Sequence, residues 1–287
     1  MQNKNMQKTF RLILLFIQLI LVGCGSSNQL RRKTVLNENS GFPVRVMTDS
    51  LFNSKQTICT FSLHKESLNK SYTIEIAYNE VDLIKTSQLA DNNGAIAAIN
   101  GSFFNMDEGG SVTYIEINDS VISKTRDHEL KWGVADTVIN GAIILTKENK
   151  LKIESANTDN FYKESRRETF VLISGPLLIS NSKLQKLPDY HFTNKRHPRT
   201  CLGITKDSII FVTIDGRSKQ AEGMNLYEAQ KYMHDLGCID AINLDGGGST
   251  TIWTKNKGVV NNPSSIKGER KVANALLILK SNTHNNN

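Results

Sequence analysis

The chain is sparing with cysteine, proline and aromatic side chains, and each scarcity excludes something. Its four cysteines include no C-x-x-C pair, which argues against a structural zinc site. Five prolines and 19 glycines in 287 residues rule out Pro-rich and collagen-like chains. Aromatics at 7% are too few for stacking platforms to be the organising feature. No G-x-x-x-x-G-K-[ST] segment is present, and no G-x-G-x-x-G opens a helix, so a nucleotide P-loop is not indicated. A membrane-length apolar run is missing as well. Leu12 to Val22, broken only by Gln18, is about half of the roughly 20 residues a spanning helix needs.

What is present is the balance of a globular protein, 39% hydrophobic and 22% charged. The net charge of +7 invites a nucleic-acid reading, but its position argues otherwise. Lys4, Lys8 and Arg11 precede the short apolar run, and Arg31, Arg32 and Lys33 follow it closely. The remainder is close to neutral and carries no basic stripe, so no nucleic-acid partner is expected.

The N-terminus reads as an address. A basic stretch, a short apolar run and then Leu21-Val22-Gly23-Cys24 resemble a bacterial lipoprotein leader. The expectation is a signal peptide over 1–23, a lipidated Cys24 and a flexible tether over 24–45. That would make the protein a membrane-anchored lipoprotein outside the cytoplasm of a bacterium, on the periplasmic face or the cell surface. Cys59, Cys201 and Cys238 sit in apolar runs and read as buried inert thiols, with a Cys201–Cys238 disulfide as the alternative.

From residue 46 to 281 the pattern is one domain of many short strands, with 282–287 as a disordered tail. Alternating or continuous apolar stretches rich in β-branched residues predict strands over 57–63, 72–77, 95–99, 112–117, 121–123, 137–145, 151–153, 170–173, 177–179, 200–205, 209–214, 239–244, 250–254 and 272–279. Residues 81–89 read as a short helix. A second helix is clearer: Asn225 is a good N-cap, Leu226, Ala229, Met233 and Leu236 share a face, and Gly237 stops it. The fold class is therefore α+β, with largely antiparallel or mixed β-sheets and a few helices in a single domain.

Four strand ends carry polar residues that suit chemistry. Asn100, followed by Gly101, Ser102, Phe103 and Phe104, offers an amide that can donate and accept, or simply a turn over an aromatic core. Arg199 enters a strand behind Arg196, His197 and Pro198, and its fork matches two oxygens of a phosphate or carboxylate. Asp215 and Arg217 share a turn ahead of Glu222, as a plain ion pair or as an acid beside an anion clamp. The strongest is Asp245, followed by Gly246, Gly247, Gly248 and Ser249. Three glycines let successive N–H groups converge on an anion.

Taken in order, these four segments resemble the phosphodiester glycosidase family, over about Ala95 to Leu279. The resemblance implies hydrolysis of a sugar C1–O–phosphate linkage, with a free sugar and a phosphomonoester as products. It places Arg199, Arg217 and the amides of Gly246–Ser249 on the phosphate, and Asn100 and Phe103 on the substrate. Asp245 is the first choice for the carboxylate facing the sugar, with Asp215 and Glu222 competing for second. No cofactor is required. A divalent metal shared by Asp215 and Asp245 is compatible with the pattern, though no ligand spacing demands one. The implied partners are a glycan phosphodiester or sugar-phosphate substrate, and the membrane through Cys24. The competing reading is a non-catalytic lipoprotein that binds anionic glycans.

Overall fold

The computed structural model describes residues 43–281 apart from residue 69. The expected leader, Cys24 and the tail from 282 lie outside the described residues.

Three sheets dominate, and every pairing of named strands is antiparallel. The largest has seven strands, in the order Arg45–Leu51, Ser54–His64, Ser208–Ile214, Arg199–Ile204, Asp240–Asn243, Leu177–Ser180 and Lys183–Leu184. A five-stranded sheet orders Ser120–Ser123, Ile115–Ile117, Glu168–Ser174, Gly141–Thr146 and Leu151–Ser155. The other five-stranded sheet orders Gly258–Val259, Ile252–Thr254, Ala97–Asn100, Asn274–Lys280 and Tyr72–Tyr78.

Period-2 alternation builds the layers. In Ser208–Ile214, Ile209 and Phe211 point into the central core, while Ile210, Val212 and Ile214 face the other way. Phe211 stacks on its cross-strand partner Phe61 at 4.4 Å. The central core joins all three sheets, with Leu202 and Ile242 from the first, Ile143 and Leu172 from the second, and Ile99 and Leu276 from the third. Each outer face carries a helix. Leu226–Asp235 covers the first with Leu226, Ala229 and Met233, Asp159–Ser165 the second with Tyr162, and Thr86–Asn92 the third with Leu89 and Ala90. A helix of ten residues is marginal alone in water, so this burial is what holds Leu226–Asp235 in place.

Its ends follow the sequence signals. Asn225 accepts from the Glu228 N–H at 2.8 Å, Glu228 accepts from the Asn225 N–H at 3.0 Å, and Gly237 takes a φ of 81° beyond the last turn. Elsewhere the structure corrects the expectation. The chain is a strand from Arg45, one residue inside the expected tether, closed by a Phe52-Asn53 turn with positive φ at both residues. The helix expected over 81–89 begins only at Thr86. Asn79 Oδ1 accepts from the N–H groups of Val81 and Asp82, and Ile84–Lys85 pairs with Lys271–Val272. Those bonds hold the preceding residues out of the helix. Residues 155–168, which carried no signal, contain the Asp159–Ser165 helix, capped by Thr158. All three described cysteines are free and buried, and burial pushes their thiols up to about 12, which leaves them inert.

Candidate functional site

Sheet register brings the polar strand ends to one edge. Arg199 pairs with Ile214, so Asp215 follows directly beside it. Cys201 pairs with Asn243, so Leu244 and Asp245 run on at the same edge. The Asp245 N–H donates to the Gly101 carbonyl at 3.1 Å, which ties this edge to the end of Ala97–Asn100 in the third sheet.

Asp245 is partly exposed but set deep among protein atoms. Burial raises its pKa from 3.8 to about 6, against the opposing pull of Ser249, Arg270, the Gly246 N–H and Arg217. Its Oδ1 accepts from the Gly246 N–H at 2.9 Å. Ser249 Oγ is buried and close enough to favour the charged carboxylate, without completing a hydrogen bond of ordinary geometry.

The three glycines do a different job from the expected anion nest. The Gly246 N–H is held by Asp245, and the Gly247 N–H donates to the Pro198 carbonyl at 2.9 Å. The Ser249 N–H donates to the Gly246 carbonyl in a single 3-10 turn. Those three amides are already engaged within the protein, so successive free N–H groups do not form a nest. What the glycines provide is room. A methyl group at Gly247 would stand 3.1 Å from Arg217 Nη2, and one at Gly248 would stand 2.6 Å from Cζ of Arg270. The turn is a bare floor on which two guanidinium groups lie, both close enough to act on Asp245. Gly247 also needs its φ of 61°, a region other residues enter at a cost.

Arg270 is the residue that sequence reasoning missed. It stands in Lys267-Gly268-Glu269-Arg270-Lys271, which reads as a solvated charged turn. The neighbouring Glu269 accepts from Ser87 N–H and Oγ at 2.7 and 2.6 Å, which pins the segment to the Thr86–Asn92 helix. The only signal in the sequence was the third glycine itself, which permits a close approach without saying by what.

Arg217 is exposed, adopts a φ of 59°, and lies 3.2 Å from His197 Nδ1. A guanidinium only donates, so Nδ1 is the acceptor and the ring is neutral with its proton on Nε2. Burial, Arg199, Arg217 and His191 all push in that direction, lowering the His197 pKa to about 4. The imidazole thus orients Arg217 without adding charge.

The other residues named from sequence go elsewhere. Arg199 is 1% exposed and gives three hydrogen bonds to carbonyls: Nε to Met224 at 2.9 Å, and Nη2 to Phe192 and Lys195 at 2.6 and 2.9 Å. Its fork ties loops together instead of facing a phosphate. Asn100 is fully buried. Its Oδ1 accepts from Thr200 Oγ1 and the Thr251 N–H, and its Nδ2 donates to the Asp245 carbonyl at 2.7 Å, so it positions Asp245 and does not reach a ligand. Asp215 is 3% exposed and accepts from Asn261 Nδ2 and the Asn262 N–H; burial raises its pKa to about 6. Asn261 in turn donates to the Thr250 carbonyl, so Asp215 braces the far end of the triglycine turn. Glu222 is paired with Arg196 at 3.1 Å, and Arg196 also grips Glu228 at the helix N-terminus. Phe103 packs edge-on against Phe192, with ring centroids 6.3 Å apart, and lines an apolar cleft. Among the described residues, no three His, Cys, Asp or Glu side chains gather as a metal site.

The arrangement is one carboxylate, with its pKa raised by burial to about 6, beside two guanidinium groups. It can hold an anionic group while presenting a negative charge to a neighbouring electrophilic centre.

The chain matches the family model described as phosphodiester glycosidase over residues 93–279. A prophage-derived uncharacterised protein of Bacillus subtilis, YomE, is 27% identical over 196 residues, covering 66% of this chain and 29% of that protein. The N-acetylglucosamine-1-phosphodiester alpha-N-acetylglucosaminidase of Bos taurus is 25% identical over 175 residues, covering 57% of this chain and 32% of the enzyme. This chain therefore spans about a third of the length of these curated relatives. Among solved structures, the pro-peptide-inhibited catalytic domain of the zebrafish enzyme of that name has a TM-score of 0.65 at 18% identity, covering 86% of this chain and 88% of that one. A hypothetical protein from Synechocystis has a TM-score of 0.58 at 13% identity, covering 82% and 62%. At those identities the likeness establishes a shared fold.

Proposed function

From the premise that the chain belongs to the phosphodiester glycosidase family, we propose that it hydrolyses the C1–O–phosphate linkage of a sugar-1-phosphodiester. The observation that carries this reading is Asp245 set beside Arg217 and Arg270 on a glycine floor.

The diester phosphate rests against the two guanidinium groups. The bond between C1 and the phosphate oxygen breaks, and its electron pair leaves with the phosphate, which becomes a monoester. Charge on that phosphate grows as the bond breaks, so these donors stabilise the transition state more than the ground state. Positive charge develops at C1, and Asp245 supplies the opposing charge beside it. Water adds its oxygen to C1 and releases a proton, for which a carboxylate with a pKa near 6 is a fitting acceptor at neutral pH. Phosphate is a good leaving group, so no strong acid is needed opposite Asp245. Asp215, Glu222, Asn100 and Arg199 then shape the site instead of touching the substrate.

The proposal includes a location. The leader over 1–23, a lipidated Cys24 and a tether to about residue 45 would hold the domain outside the cytoplasm of a bacterium, where glycan phosphodiesters of the envelope are the available substrates. Lipid labelling of the full chain, lost in Cys24→Ala, tests that part.

The activity is tested with the full chain in detergent, on a panel of N-acetylglucosamine-1-phosphodiesters, with and without chelator. Free sugar and phosphomonoester should appear in equal amounts, and Asp245→Asn should reduce the rate at least 1,000-fold, a rough figure for loss of an essential charged group. Tight binding without release, unchanged in Asp245→Asn, would replace the hydrolase with a binding protein.

A further inference from the structure

An uncharged cleft of about 370 Å³ opens at Phe103 and Phe192. Phe103, Val134, Ala135, Val138, Tyr190 and Phe192 form its walls, and its volume is within the roughly 300–1,000 Å³ usual for small-molecule sites. Two segments fix it relative to Asp245. Phe103 follows Gly101, whose carbonyl accepts the Asp245 N–H. Phe192 lies with its ring 4.8 Å from Cζ of Arg199, and its carbonyl accepts from Arg199 Nη2. Arg199 follows Pro198, whose carbonyl accepts the Gly247 N–H. Arg199, buried and silent toward substrate, is thus the joint between the aromatic wall and the glycine floor.

Resting on the hydrolase reading above, we infer that this cleft takes the second ester substituent of the phosphate, and that this substituent is apolar, an alkyl or aryl group. The lining contains no Asp, Glu, Lys or Arg. Its polar side chains are His128 and Tyr190, and the Tyr190 hydroxyl already lies 3.4 Å from Thr137 Oγ1. A sugar against these walls would find only the His128 ring and the Tyr190 hydroxyl as bonding partners and would leave its other hydroxyls to solvent. An apolar chain leaves none. The sugar of the substrate must sit at Asp245 and the phosphate at Arg217 and Arg270, so the part left for the cleft is the group beyond the phosphate.

The experiment compares esters that differ only in that group: methyl, butyl, hexyl and octyl N-acetylglucosamine-1-phosphate, hydrolysed by the full chain below their micelle concentrations. In parallel, the binding of the matching alkyl phosphates is measured by calorimetry. Each added methylene should raise kcat/KM and affinity about two- to fourfold until the cleft is filled. The slope should flatten in Val134→Asp, which puts a charge in the wall, and the slope is read within each variant so that overall losses do not matter. A flat series with clear turnover of the methyl ester overturns the inference and leaves the hydrolase reading intact. The same holds if an ester of a second sugar outpaces the octyl ester. No turnover of any ester, with alkyl-phosphate affinity still rising along the series, removes the hydrolase reading and supports the apolar subsite. Neither turnover nor a rise in affinity removes both.

Discussion

Replacing Gly248 by alanine adds one methyl group, which would stand 2.6 Å from Cζ and 2.8 Å from Nε of Arg270, and closer still to Nη2. Carbon atoms in contact prefer about 3.5–4.0 Å, so the guanidinium must withdraw by about an ångström. The group that moves is the end of a flexible side chain, and Gly248 does not need a left-handed φ. The fold should therefore tolerate the change, with stability within about 1 kcal/mol of wild type. Function should not. A displaced Arg270 no longer meets the phosphate, and losing one such donor costs about 10²–10³ in rate, or about 2.7–4 kcal/mol of barrier. Arg270 also lowers the Asp245 pKa, so the acid limb of the pH profile, near 6 in wild type, should move up. The assay is kcat/KM from about pH 4.5 to 8 for Gly248→Ala, Arg270→Ala and the double variant, with thermal melts beside it. Both changes act through one group, so the double variant should be no slower than Arg270→Ala alone. Wild-type activity in Gly248→Ala, or losses that multiply in the double variant, would refute the reasoning.

Two further outcomes follow from residues that the structure turns inward. Arg199→Ala leaves the carbonyls of Met224, Phe192 and Lys195 without their donor, at about 1–3 kcal/mol for each group that stays dry, so the urea midpoint should fall sharply; an unchanged midpoint with a raised KM would return Arg199 to the phosphate. Asp215 has its pKa raised by burial to about 6, so the native state binds its proton more tightly than the unfolded chain. Its contribution is most favourable below about pH 4, declines as pH rises to about 6, and is level above that, a span on the order of 3 kcal/mol. Relative to Asp215→Asn, which cannot titrate, wild-type stability from urea unfolding should fall across that window; parallel curves would refute it.

Short-range patterns determined most of the elements. The continuous apolar run Ile209–Ile214 specified a strand, and it is buried on both faces. Asn225 and Gly237 bounded the longest helix among the described residues, and the acid followed by three glycines marked the strand end where Arg217 and Arg270 come close to Asp245. All of these depend on neighbours a few residues away. The division of labour within the site does not. Arg199 opens a strand and Arg270 precedes one, and nothing beside them in the sequence says which guanidinium faces inward. Arg199 turns in because carbonyls of Met224 and Phe192 arrive around it, while Arg270 lies over Gly248, where the missing side chain leaves it room. Asn100 carries the Asp245 carbonyl across 145 residues of chain, and Glu222 is drawn to Arg196 by the fold of the loop before the helix. A side chain's type sets what bonds it can make. Which partners it finds is set by the register of the sheets, through contacts between segments far apart in the chain, so only the tertiary structure decides whether an arginine clamps a phosphate or the protein itself.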